Sequence, residues 1–189
     1  MNKPNSSLEI SHIPVMLSEV IKICAPEKGG NFLDCTFGGG GYSKTLLSFD
    51  NTKVTAIDRD DHVIKYAKKL NQENKERFSF YHEKFSNLDK VIKKQLFDAV
   101  IFDLGVSSFQ LKDLSRGFSF NSKDKLDMTM GLSSLSAEKV INTYEENDLK
   151  LIIKIFGDEK EAYKIAKNIV KKINIKNITT VKELVEIIE

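Results

Sequence analysis

The sequence predicts an α/β fold built on a doubly wound parallel sheet. Three observations predict it. Short apolar runs alternate with helical patterns over the first 110 residues, as a parallel sheet requires. A glycine-rich turn follows the first of those runs, and an aspartate ends the second. The composition of the 189 residues, 41% hydrophobic and 30% charged with a net charge of +2, is that of a folded chain with a sizeable core.

The elements follow in order. Leu17, Val20, Ile21 and Cys24 repeat at helical spacing behind Pro14, and Pro26 with Gly29-Gly30 ends that helix. Phe32 to Cys35 reads as strand one, followed by the glycines and a helix through Leu46 and Leu47. Val54 to Ile57 is strand two, then comes a helix with Val63, Ile64, Ala67 and Leu70 on one face. Phe78 to Tyr81 is strand three, and Leu88, Val91, Ile92 and Leu96 mark the next helix. Asp98 to Asp103 is strand four. Repeated β-α units with right-handed crossovers give the doubly wound sheet.

Beyond about residue 112 the texture changes. Residues 113–134 are polar and rich in Ser, Asp and Lys, and the rest is helical in pattern. Over 158–174, Ala162, Ile165, Ala166, Ile169, Val170 and Ile173 share one face, and Lys160, Lys164, Lys167 and Lys171 share the opposite one. That lysine stripe reads either as a phosphate-tracking surface or, more simply, as a solvated face. Lys supplies 26 of the 29 basic residues, a bias that A/T-rich codons produce, and a net +2 does not by itself imply a polyanionic partner. Thr180 to Glu183 has capping-box spacing and opens an amphipathic helix.

Composition also excludes several classes. No window approaches 18 uninterrupted apolar residues, and the N-terminus leads to no signal-peptide core, so a cytoplasmic protein is expected. Two cysteines, Cys24 and Cys35, make neither a disulfide scaffold nor a four-cysteine zinc site.

The strongest chemical signal is Asp34-Cys35-Thr36-Phe37-Gly38-Gly39-Gly40-Gly41-Tyr42-Ser43 between strand one and a helix. Glycines there let a backbone approach a ligand and adopt positive φ. Asp58, twenty positions after Gly38, ends strand two, where a carboxylate can accept both ribose hydroxyls of a nucleoside. Gly38-x-Gly40-x-x-Ser43 nearly satisfies the dinucleotide pattern, which leaves an NAD-dependent oxidoreductase as an alternative. Asp34 favours S-adenosyl-L-methionine: it suits an ammonium group and would repel a pyrophosphate. Strand four runs into Asp103-Leu104-Gly105-Val106-Ser107-Ser108-Phe109-Gln110, polar groups at the topological switch point; Ser107-Ser108 can also simply cap the next segment.

Six blocks occur in order: His12-Ile13-Pro14-Val15-Met16-Leu17-x-Glu19-Val20, Asp34-x-Thr36-Phe37-Gly38-Gly39-Gly40-Gly41-x-Ser43, Ala56-Ile57-Asp58-Arg59-Asp60, Asp103-Leu104-Gly105-Val106-Ser107-Ser108-x-Gln110, Arg116-Gly117-Phe118-Ser119-Phe120 and Leu126-Asp127-Met128. Together they closely resemble the RsmH (MraW) family, bacterial methyltransferases acting on the N4 amine of a cytosine in small-subunit ribosomal RNA. The resemblance implies a Rossmann-like class I methyltransferase core over 1–112, holding the first four strands, and a helical insertion over 113–189. It implies S-adenosyl-L-methionine contacts at Gly40, Gly41, Tyr42, Asp58, Phe85, Asp103 and Gln110, with Asp103 or Ser107 polarising the acceptor amine, no metal, and 16S ribosomal RNA as partner.

Family members usually carry His at Tyr42, Arg at Thr129 and Gly at Glu83, and they continue for roughly half this chain again. The chain therefore reads as C-terminally truncated: an active enzyme, a non-catalytic remnant, or half of a split protein completed by a partner chain or a homodimer.

Overall fold

The computed structural model describes residues 14–189. The His12-Ile13 half of the first motif and the N-terminal reading above lie outside the described residues. The chain forms two units that divide after Gly105.

The first unit alternates helices and strands: α1 (Leu17–Cys24), β1 (Gly30–Asp34), α2 (Gly41–Leu47), β2 (Thr52–Asp58), α3 (Ile64–Glu73), β3 (Phe78–His82), α4 (Leu88–Val91) and β4 (Ala99–Ile101). The strands form one sheet in the order β3-β2-β1-β4, parallel throughout, with Asp34 level with Ala56 on one side and Ile101 on the other. The chain steps outward from β1 to β3 and then returns across β1, so the switch point lies between β1 and β4. This is the α/β sheet that the apolar runs predict.

Alternation along the strands divides the core between two faces. Phe32, Val54, Ala56 and Phe78 pack with Phe37, Leu46, Leu47, Ala67 and Leu70, and α1 adds Leu17, Val20, Ile21 and Cys24 at its margin. Leu33, Cys35 and Ile57 face the other way, covered by Leu88, Val91, Ile92 and Phe97. One face thus rests on three helices and the other on a single short one.

That short helix departs from the sequence reading. The spacing through Leu96 predicts a longer helix, but α4 stops at Val91 and Leu96 is 87% exposed. Lys94 adopts φ +59°, a left-handed residue that a right-handed helix cannot pass through.

The second unit is helical after its polar opening: α5 (Ser108–Lys112), α6 (Ala137–Thr143), α7 (Glu146–Gly157), α8 (Ala162–Ile173) and α9 (Val181–Ile188). Leu126, Ile141, Leu149, Ile165, Ala166, Ile169, Ile178 and Val181 form its core. The α8 face predicted from spacing is the buried one. The polar stretch is not loose: Leu126 N–H donates to the Thr179 carbonyl at 2.9 Å and Val181 N–H to the Asp124 carbonyl at 3.0 Å, which fastens it to the start of α9.

Candidate cofactor site

The first unit gathers its polar groups at the carboxyl ends of its strands. β1 ends at Asp34 and runs into the glycine turn, where Gly38 (φ +52°) and Gly40 (φ +78°) take the left-handed conformation that side chains disfavour. A Cβ on Gly40 would meet the Phe37 ring at 2.8 Å, whereas one on Gly38 would meet only the Thr36 carbonyl, at 3.8 Å. The turn is packed from below at Gly40 and open at Gly38.

Asp58 closes this turn. One carboxylate oxygen accepts the Gly38 N–H at 2.7 Å, and the other accepts the Asp60 N–H at 2.9 Å. Burial raises its pKa, against the lowering effect of those N–H donors. The Arg59 N–H is a third backbone donor to it, so backbone groups hold the carboxylate in place at the strand end.

Asp34 behaves differently from the sequence reading, which sets it opposite a ligand's ammonium group. It is fully buried, accepting from the Ser43 hydroxyl at 2.6 Å and from the Thr36 N–H at 3.3 Å. Burial pushes its pKa up to about 6. The carboxylate fastens the first turn of α2 to β1 instead of lining a cleft.

Tyr42 is buried, and its hydroxyl donates to the Val15 carbonyl. Burial first, then the Asp103 and Asp34 carboxylates, raise its pKa. A Cβ on Gly41 would overlap the Pro14 ring. The segment before α1 therefore lies against Gly41 and Tyr42.

Asp103 is exposed at the end of the β4 region, and its N–H donates to the Thr36 hydroxyl at 2.7 Å. Thr36 thereby joins the glycine turn to the end of β4, a role the sequence reading does not assign. The available signal was its place two residues beyond a strand-ending acid. Phe85 follows β3 yet meets Phe102 edge-on, with centroids 5.5 Å apart. These two residues leave strands at opposite edges of the sheet, so Phe85 reaches across the strand ends. At 41% exposed it is no core aromatic.

Among the sequence-predicted residues, Gly40, Gly41, Tyr42, Asp58, Phe85 and Asp103 belong to this first unit. Ser107 and Gln110 belong to the second and pair with each other. The Ser107 hydroxyl accepts the Gln110 N–H at 3.3 Å, and the Gln110 side chain accepts the Ser107 N–H at 2.8 Å. They form a capping box on α5.

The atypical residues are satisfied locally. Glu83 accepts the Lys84 N–H at 2.8 Å and the Asn87 side chain at 3.0 Å. The Thr129 hydroxyl donates to Asp127 at 2.8 Å, and its carbonyl accepts from Arg116 at 3.1 Å.

A parallel sheet with a glycine turn closed by the acid of β2 is shared by several nucleotide-binding families, and comparison with known proteins decides among them. Residues 9–189 match the MraW methylase family. The chain belongs to that family. Similar curated proteins include the ribosomal RNA small subunit methyltransferase H of Rickettsia canadensis (strain McKiel), 46% identical over 96% of this chain and 59% of its own length. Those of Rickettsia massiliae (strain Mtu5) and Rickettsia bellii (strain OSU 85-389) are 45% and 46% identical over 94% of this chain and 58% of theirs. The chain thus spans about three-fifths of the length of these MraW relatives.

Proposed function

We propose that the chain is the cofactor-binding part of an S-adenosyl-L-methionine-dependent methyltransferase that modifies the N4 amine of a cytosine in 16S ribosomal RNA. The observation that carries this is the Asp58 carboxylate, held at the end of β2 against the glycine turn by the Gly38 and Asp60 N–H groups. A carboxylate at that place can accept from ribose hydroxyls. The open space above Gly38 and the half-exposed Phe85 ring fit the rest of an adenosine, the ring lying on the base.

The cofactor supplies an electrophilic methyl group on a sulfonium. The protein supplies position and charge. The Gly40 to Tyr42 backbone holds the methionine half, and Asp58 fixes the ribose. The cytosine amine is itself the nucleophile, so no side chain need attack. Asp103 accepts an N–H of that amine, which raises the electron density on its nitrogen, and takes the proton the amine sheds as the bond from sulfur to methyl breaks; the resemblance gives Ser107 as the other candidate for that contact. Gln110, in the second unit, is the remaining cofactor contact that the resemblance implies.

The same reading locates the protein in the cytoplasm with its RNA. Among the described residues no helix is long and apolar enough to cross a membrane. The exposed Val100 and Phe102 along β4 and the greater length of the relatives support a second element of the proposal. The sheet continues beyond β4, with strands from further chain, a partner chain or a homodimer.

Calorimetric titration tests the cofactor. Binding of S-adenosylmethionine without binding of NAD is expected, and the reverse would overturn the reading in favour of an oxidoreductase. Methyl transfer to small-subunit RNA by the chain alone, against the chain supplemented with the C-terminal part of a relative, then separates self-sufficient enzyme from partial core.

A further inference from the structure

The lysine stripe of α8 is concentrated in a way that the chain's composition is not. The whole chain carries a net +2, yet α8 holds Lys164, Lys167, Lys171 and Lys172 and no acidic residue. Its lysines are exposed, and among the described residues none of them enters an ion pair. The lysines near α9 differ: Lys176 is 2.8 Å from Glu183, and Lys182 is 3.6 Å from Glu186. A lysine-rich but merely solvated helix would be expected to carry compensating acids, as α9 does.

An aromatic ring sits in the same patch. Tyr163 is 55% exposed on the first turn of α8, with the Lys167 and Lys150 ammonium groups 5.8 and 6.0 Å from its ring centroid. The ring is held on the surface among cations instead of entering the core beside Ile165 and Ile169. Lys164 to Lys171 spans about 10 Å of helix at 1.5 Å per residue, a length over which a nucleic-acid backbone passes more than one phosphate. Ammonium groups in a row beside an exposed ring are the two components of single-strand recognition: charge for the backbone and a π-face for a base.

We propose that this α8 face is a single-stranded RNA contact, with Lys164, Lys167 and Lys171 on successive phosphates and Tyr163 stacked on one base. The proposal rests on the ribosomal RNA reading above, and it assigns the RNA-gripping role to a surface distinct from the residues that hold the cofactor.

The test uses the full chain and a labelled single-stranded fragment of small-subunit ribosomal RNA, titrated at several salt concentrations. The triple variant Lys164→Gln, Lys167→Gln, Lys171→Gln should flatten the dependence of log affinity on log salt by about two units. Tyr163→Ala should weaken binding roughly 10- to 100-fold while Tyr163→Phe retains it. A control triple, Lys53→Gln, Lys65→Gln, Lys68→Gln, removes equal charge from the first unit and should leave the slope near that of the wild type. The inference is overturned if the α8 triple keeps the wild-type slope, or if the control loses as much. Titration of S-adenosylmethionine into the same samples separates the two readings. Cofactor binding with no RNA binding by the wild type overturns the RNA partner and this surface together. RNA binding through α8 with no cofactor binding sustains the surface and sinks the methyltransferase reading.

Discussion

Two carboxylates, one in each unit, receive N–H and O–H donors beside a helix start, and they titrate in opposite directions. In the first unit Asp34 is sealed under the glycine turn, bonded to Ser43 and Thr36, and its pKa rises to about 6 because burial outweighs the donors. In the second, Glu183 accepts from the Thr179 N–H at 2.9 Å, the Thr180 N–H at 3.1 Å and the Lys176 ammonium at 2.8 Å. It stays near solvent, and its pKa falls to about 2. The same hydrogen-bonding task therefore stabilises the charged acid only where water still reaches it. The first unit spends its carboxylate on rigidity under the turn; the second spends one on closing a helix end.

The comparison is broken most strongly at Asp34. Asp34→Ala strands the fully buried Ser43 hydroxyl and opens a small cavity, so a loss of about 3 kcal/mol is expected by denaturant titration. A loss below about 1 kcal/mol would show that the turn does not depend on this bond. The pH dependence is next. A folded pKa raised from its ordinary 3.8 to about 6 means that the folded state keeps a proton the unfolded chain has released. Stability from this group is therefore present below about pH 4 and lost as pH rises through 6, on the order of 3 kcal/mol in all. Asp34→Asn should remove that slope, which denaturation at stepped pH would read directly. At Asp58, half-buried between these extremes, Asp58→Asn keeps the size and removes the charge. Weakening of S-adenosylmethionine binding by roughly 10- to 100-fold is expected from calorimetry, the worth of a hydrogen bond to a charged acceptor.

These contrasts mark what the sequence could and could not show. The sheet was legible because apolar runs of strand length and glycine punctuation are local signals, and the place of Asp58 at the end of β2 follows from them. The α8 core face was legible for the same reason, since one helix writes its periodicity in one continuous segment. The burial of Asp34 was not: it goes with a bond to Ser43 nine residues on, a contact that no strand pattern contains. The reach of Phe85 to Phe102 was hidden because the contact joins strands at opposite edges of the sheet. The end of α4 was missed because Lys94 adopts a left-handed φ that its residue type does not announce. Ser107 and Gln110 carried both readings at once. The capping box is observed, and it leaves the Ser107 O–H proton available as a donor.

The smallest effect is expected at Glu183, and its sign is the sharper test. The lowered pKa means that its stabilisation is present above about pH 4.5 and lost as pH falls toward 2, the reverse of Asp34. Much of the lowering comes from Lys176, an exposed partner whose ion pair is worth little once screened. The capping bonds to Thr179 and Thr180 carry the rest. Glu183→Gln keeps an acceptor for the Thr180 N–H but loses the charge, so the cost should be about 0.5 kcal/mol, rising to about 1 kcal/mol in Glu183→Ala, where the box is gone. Lys176→Gln should cost less than either and lose its effect in high salt. Hydrogen exchange at the α9 amides, read against those of α2 across the acid range, would report each carboxylate in its own unit. Protection of α9 should fall on acidification while that of α2 holds or rises. If both fall together, burial does not set the direction at Asp34, and the contrast between the two units fails at its physical root.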